Sequence, residues 1–187
     1  MITFLFICLS FSSSVNNASQ HKIKLDTLKW QIYLPVVISI IFTVISHTLI
    51  VLESISYDAK PDYHFDLGKQ LKSLRDKGVL IIGSGSLIHN LQLAGEKFRA
   101  NDMTPYGWEA EYDAWLKKQI ETRNFKDLIN YQQSHKLGKL ASPTPDHFVP
   151  VLYSLGLADK NDEIEFFYDT PASIPAFSER SFIIKSI

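Results

Sequence analysis

The stretch from Trp30 to Leu52, WQIYLPVVISIIFTVISHTLIVL, contains no Asp, Glu, Lys or Arg. An uncharged run of this length must be kept from water, either in a bilayer or inside a sheet. Length and composition meet the criterion for a membrane span over 30–52. Trp30 and Tyr33 sit at one end like interfacial anchors. Lys22, Lys24 and Lys29 just before it would place its N-terminal side in the cytoplasm. The other reading is one or two buried strands of an α/β sheet, consistent with the abundance of Val and Ile and with Pro35 and His47. Upstream, Met1 to Leu9 is apolar and Ser10 to Ser14 is small and polar. That pattern resembles the hydrophobic part of a signal peptide, without a positive n-region or a clean Ala-x-Ala site. Residues 1–53 therefore read as a hydrophobic leader, either transmembrane or an aberrant segment of unrelated coding sequence. They differ in character from residues 54–187.

The whole chain of 187 residues is 45% hydrophobic and 21% charged, enough for one domain with a core. The 19 basic and 20 acidic residues nearly cancel. No basic block points to nucleic acid. The single cysteine, Cys8, excludes an internal disulfide and a cysteine-based zinc cluster. Metal chemistry here must use His, Asp or Glu.

From residue 54 onward the pattern is α/β. Asp62 to Lys77 is amphipathic through Phe65, Leu67, Leu71 and Leu74, with Asp62 as a cap and Gly78 as a stop. Val79 to Ile82 reads as a fully buried strand bounded by glycine. Trp108 to Thr122 repeats Trp108, Tyr112, Trp115, Leu116 and Ile120 at helical steps. Phe125 to Gln133 reads as a shorter helix. Thr144 or Asp146 would cap a helix running from Phe148 to a stop at Gly156. Glu163 to Tyr168 and Ser181 to Ile187 read as strands, the last at the sheet edge.

Two of six histidines sit where a structural role explains them poorly. His89 follows the strand exit Gly83-Ser84-Gly85-Ser86, just past the carboxyl end of a strand, where α/β sheets place ligand crevices. His147 follows the stiff Pro143-Thr144-Pro145 turn. Imidazole is a common metal ligand and titrates near physiological pH. A capping or core role remains the alternative for each. His64, near a helix start, and His135, among polar residues, read as structural. His21 and His47 lie in the leader.

The segments YHFDLGKQLKSLRDKGVLIIGSGSLIHNL, PYGWEAEYDAWLK and LINYQQSHKLGKLASPTPDHFVPVLYSLGLAD closely resemble the C-terminal half of the class III extradiol ring-cleavage dioxygenases. The nearest branch looks like the 4,5-DOPA dioxygenase type. The resemblance covers about residues 54–187. It implies an α/β fold with a central mixed sheet flanked by helices. It implies a non-haem Fe(II), or Zn(II) in its place, and a catechol such as DOPA opened with O2. His147 matches a family metal ligand. His89 matches a histidine across the substrate, read as acid/base and sometimes as a further metal contact. The small turn, with Gly83, Ser84, Gly85 and Asn90, would let a flat ring approach the backbone. Phe98, Tyr106, Trp108 and Phe148 would line an aromatic pocket or, for at least two of them, belong to an ordinary core. The dioxygenase-like part would be cytoplasmic.

The chain departs from the family in one respect. Two further ligand histidines, in a Gly-His-Gly-Ser-Pro-like loop and a Ser-Ala-His-Trp-like strand end, are expected in the N-terminal half. The first has no counterpart here, and Val44 to Thr48 resembles the second only faintly. The alternative function is therefore a catalytically inactive, membrane-anchored remnant or binding protein of the same fold.

Overall fold

Proline suits the first helical position because its missing amide would have no partner there. Pro61 accordingly opens helix α1 (Pro61–Arg75) in the computed structural model, which describes Leu5–Leu9 and residues 55–186. The N-cap is Lys60, without a side-chain cap; the expectation of an Asp62 cap is corrected, since Asp62 lies inside the first turn. There its negative charge faces the positive helix end. After Arg75 the chain turns at Gly78, whose φ of 81° is a left-handed conformation suited to glycine.

The strand β2 covers Ile81–Ser84 rather than the expected 79–82. Val79, Leu80 and Ile82 are 41%, 46% and 48% exposed. Val79 and Leu80 precede the strand, and within it Ile82 is exposed by the period of two along a strand with one covered face. Ile81 and Gly83 turn inward, while Ile82 and Ser84 face out. A second, unanticipated helix, α2 (Leu91–Arg99), follows; Asn90 caps it by accepting the Leu93 amide at 3.0 Å.

Helix α3 (Trp108–Glu121) matches its apolar repeat: Tyr112, Leu116 and Ile120 are fully buried. The expected helix over 125–133 divides at Asn130 into α4 (Phe125–Ile129) and α5 (Tyr131–Ser134). A further turn, α6 (Gly138–Ala141), precedes α7 (Val149–Gly156). The expected caps Thr144 and Asp146 are corrected here too, because the N-cap of α7 is Phe148 and no side chain caps it. Phe148 is instead a core residue, stacked on Tyr131 with ring centroids 3.8 Å apart. Helices α1 and α7 touch backbone to backbone. A Cβ on Gly68 would lie 2.3 Å from the Tyr153 carbonyl oxygen, and one on Gly156 would lie 2.3 Å from that of Phe65.

The strands β1 (Leu5–Leu9), β3 (Glu163–Tyr168) and β4 (Ser181–Lys185) complete a four-stranded sheet of order β2-β1-β4-β3. β1 runs antiparallel to β2, with Leu5 opposite Ser84, and parallel to β4, with Ile7 opposite Ile183. β3 and β4 are antiparallel. The sheet is therefore mixed, as expected, and α7 packs against β1 and β2. Two expectations are corrected. Leu5–Leu9, read as part of a leader, forms an interior strand. β4, read as an edge, is interior with Phe182 and Ile184 fully buried, and β3 is the edge. Both errors arise because β1 pairs with strands far away in sequence.

Leu5–Leu9 and residues 55–186 belong to one compact unit, and residues 13–54 lie outside the described residues. The expected membrane segment over 30–52 falls there. Among the described residues no helix is long and apolar enough to cross a membrane.

Candidate active site

Leaving β2, residues 86–90 form a rib clasped on both flanks. On one flank lies the 140–147 turn. The His89 amide donates to the Ala141 carbonyl at 2.8 Å, and the Ser86 amide to the His147 carbonyl at 2.8 Å. Ser142 Oγ donates to the Leu87 carbonyl at 2.7 Å, and Asn90 Nδ2 to the Leu140 carbonyl at 2.8 Å. On the other flank lies the 176–178 strap. The Asn90 amide donates to the Ala176 carbonyl at 3.1 Å and the Ser178 amide to the Ile88 carbonyl at 3.2 Å. Ser86 Oγ donates to the Ser178 carbonyl at 3.0 Å. The buried amides of Ser86, His89 and Asn90 and the carbonyls of Leu87 and Ile88 thus have partners despite the irregular path of the rib.

Glycine is required here for packing. A Cβ on Gly85 would lie 2.2 Å from the His147 carbonyl oxygen, and one on Gly83 would lie 2.7 Å from the Pro150 carbonyl oxygen and from Ser154 Oγ. On the Cβ side, the space expected for a flat ring is filled by the 147–154 backbone. Ser84 is exposed at the strand end, and Asn90 serves as the cap of α2.

The rib delivers His89 to the 144–147 turn. The His89 side chain is almost completely buried. Its Nε2 lies 2.9 Å from the Thr144 carbonyl oxygen and its Nδ1 lies 3.2 Å from that of Ser86. A neutral imidazole carries a single N–H, so it donates to one carbonyl and turns a lone pair towards the other. The shorter contact assigns the proton to Nε2. Burial lowers the His89 pKa, the Thr144 carbonyl opposes that, and the neighbouring His147 lowers it further.

His147 is 42% exposed, and its ring centroid lies 5.1 Å from that of His89 with the planes tilted by 50°. His147 Nε2 lies 3.3 Å from Asp146 Oδ2. The other carboxylate oxygen, Asp146 Oδ1, is buried without a hydrogen-bond partner. Burial works against that carboxylate, but the Thr144 hydroxyl and then His147 outweigh it and hold the Asp146 pKa below its ordinary value. Burial, then the Asp146 charge, pushes the Tyr131 hydroxyl up to about 12, so it stays protonated.

The structure therefore brings together His89 and His147, the two histidines singled out from sequence. It also adds Thr144 and Asp146, which were read only as helix caps. Their signal lay in the same Pro-Thr-Pro-Asp run. The other histidines lie elsewhere. His64 is buried with Nδ1 2.7 Å from the Tyr153 hydroxyl, and His135 packs against the stacked Tyr112 and Trp115 rings. His21 and His47 are outside the described residues. The expected aromatic pocket does not assemble from its four members: Phe148 is core, Phe98 and Tyr106 are 46% and 39% exposed, and Trp108 stacks on Tyr106.

Among the described residues no group of three or more His, Cys, Asp or Glu converges as a metal site. Both His89 nitrogens already face carbonyl oxygens. These residues do not make a metal site by themselves.

Residues 36–178 match the family described as the catalytic LigB subunit of aromatic ring-opening dioxygenase. The match begins inside the hydrophobic stretch assigned above to a leader. The 4,5-DOPA dioxygenase extradiol of Escherichia coli (strain K12) is 34% identical over 105 residues, 54% of this chain and 37% of that protein. That of Portulaca grandiflora is 34% identical over 115 residues, 58% of this chain and 39% of that protein. That of Beta vulgaris is 33% identical over 108 residues, with 58% and 39% covered. The crystal structure of an uncharacterized protein from Escherichia coli K12 resembles this chain with a TM-score of 0.54 and 28% identity, covering 66% of this chain and 51% of the other. The chain spans about two fifths of the length of these curated relatives. With most of its length matched, and with both histidine turns inside the match, the chain belongs to the LigB family of aromatic ring-opening dioxygenases.

Proposed function

We propose that residues 54–187 carry the C-terminal part of an extradiol dioxygenase site that opens a catechol ring, such as that of DOPA, with O2. The observation that carries this reading is the approach of the His89 and His147 rings to 5.1 Å from two separate turns. The names of the curated relatives support DOPA as the substrate class. His147, half exposed, is proposed as a ligand to Fe(II) or Zn(II). His89, buried beside it, is proposed as the group that takes and returns a proton. Its lowered pKa keeps it neutral near pH 7 and able to accept one, although its free lone pair must first turn from the Ser86 carbonyl. Ser84 and Asn90 remain candidate substrate contacts, and packing accounts for Gly83 and Gly85. The metal would need donors beyond the described residues; His21 and His47 are the histidines available there.

The test is oxygen uptake by the full chain supplied with Fe(II) and L-DOPA. The reading predicts uptake that His147→Ala abolishes and His89→Gln strongly reduces. Equal uptake by the wild type and both variants would sink it.

A second reading is favoured by His89, whose two ring nitrogens both face backbone carbonyls, at 2.9 and 3.2 Å, rather than open space. In it the protein keeps the fold without catalysis and is held at a membrane through residues 30–52. It predicts no uptake and retention in the membrane fraction after a high-salt wash. Release by that wash would remove the membrane part of this reading.

A further inference from the structure

We propose that Glu109 is a positioning residue for His89, acting through Ala176. The catalytic meaning of this proposal rests on the reading of His89 given above; the mechanical relay does not.

Glu109 is fully buried on the inner face of α3. Its Oε1 accepts the Tyr106 amide at 3.0 Å and the Ala176 amide at 2.9 Å, and its Oε2 accepts the Gly107 amide at 2.8 Å. The first and third of these bonds close the start of α3. An exposed Ser, Thr or Asp at a helix cap would do that without burying a charge. The bond to Ala176 reaches a distant segment, and local capping does not explain it.

Ala176 is the unusual member of that segment. It is a non-glycine residue with φ of 57° and is fully buried. A left-handed alanine is strained and persists only where its surroundings hold it. Here both backbone groups are held: the amide by Glu109, and the carbonyl by the Asn90 amide at 3.1 Å. The next residue, Phe177, pairs antiparallel with His89. One helical turn beyond Glu109, Asp113 accepts Ser178 Oγ at 2.8 Å and binds Arg180. α3 thus presents two buried carboxylates to alternate residues of the strap that clasps the His89 rib. Three amides on one side chain require two acceptor oxygens. Glutamine would turn an N–H towards one of those donors.

The test uses the full chain labelled with 15N, without substrate or metal. The readouts are the His89 ring signals and the hydrogen-exchange protection of the Asn90 amide. Compared are the wild type, Glu109→Ala, Glu109→Gln and a core control, Leu128→Ala. We expect Glu109→Ala to move the His89 ring signals and to lose Asn90 protection, leaving the His64 ring signals in place. Glu109→Gln, which can keep the Ala176 bond, should recover part of both. Leu128→Ala should lower Tm without either change. If Glu109→Ala does not fold, Glu109→Gln alone decides by a partial shift at His89. Unmoved His89 signals in the Glu109 variants, or the same movement in Leu128→Ala, would overturn the proposal. Where oxygen uptake is measurable, Glu109→Gln should lower kcat with KM for L-DOPA little changed. Absence of uptake in the wild type would count against the dioxygenase reading and leave the relay standing.

Discussion

Gly85→Ala offers a quantitative test of how the two histidine turns are joined. The added Cβ would sit 2.2 Å from the His147 carbonyl oxygen and 3.3 Å from Pro150 Cγ. Ordinary contact needs about 3.5 Å between heavy atoms, so the two segments must part by about 1 Å. That separation stretches the bond from the Ser86 amide to the His147 carbonyl, now 2.8 Å, past hydrogen-bonding range. Overpacking a tight contact costs about 1–3 kcal/mol, and a lost buried hydrogen bond adds about 0.5–1.5 kcal/mol. The sum, about 1.5–4.5 kcal/mol, corresponds to a fall in Tm of roughly 3–18 °C for a chain of this size. Thermal unfolding followed by circular dichroism gives the number. Amide exchange at Ser86 shows whether the loss occurs at the predicted bond. A stability change within about 0.5 kcal/mol, the range of ordinary surface substitutions, together with a protected Ser86 amide, would refute the reasoning.

Other perturbations read other parts of the fold. Burial lowers the His64 pKa, so below about 6.5 the unfolded chain takes up a proton that the folded chain resists. Stability should therefore rise with pH through that window and level off above it, with a shallower rise in His64→Phe; an unchanged slope in urea titrations at several pH values would contradict this. Asp113 and Arg180 are both buried and paired, Arg180 also reaching Asp169, so Asp113→Ala should cost about 3–5 kcal/mol. Joining it with Arg180→Met should recover part of that loss in urea unfolding; a double variant less stable than Asp113→Ala would show that the buried charge left with Asp169 alone is not the cause. In the same assay Ser142→Ala strips the buried Leu87 carbonyl of its 2.7 Å donor and should cost about 1–3 kcal/mol; no change would mean that water replaces the hydroxyl.

Much of the candidate site was legible because it is local. Glycine punctuates one turn and proline the other, and each turn carries one histidine at its end. The helical faces were legible for the same reason: Tyr112, Leu116 and Ile120 repeat at the helical period and are buried as that period requires. What was missed depends on partners far along the chain. The apolar run Val79–Ile82 suggested a fully buried strand, yet β2 has one covered face, and its inner position falls on Gly83 because α7 presses there. The interior place of β4 depends on pairing with Leu5–Leu9. The glycines of the 83–86 turn were read as room for a ligand, whereas their missing side chains admit the 147–154 backbone. Glu109 was hidden for a different reason. An acidic residue in the first turn of a helix is common, and only its distance to Ala176 separates it from a simple cap.

The most direct test of the site is metal content. The full chain, purified without a histidine tag and equilibrated with Fe(II) under argon or with Zn(II), should be analysed beside His147→Ala and the distant His64→Phe. The account predicts stoichiometric metal in the wild type and in His64→Phe, and its loss in His147→Ala. Equal metal in all three, or none in any, would contradict a ligand role for His147 and leave the non-catalytic reading of the fold.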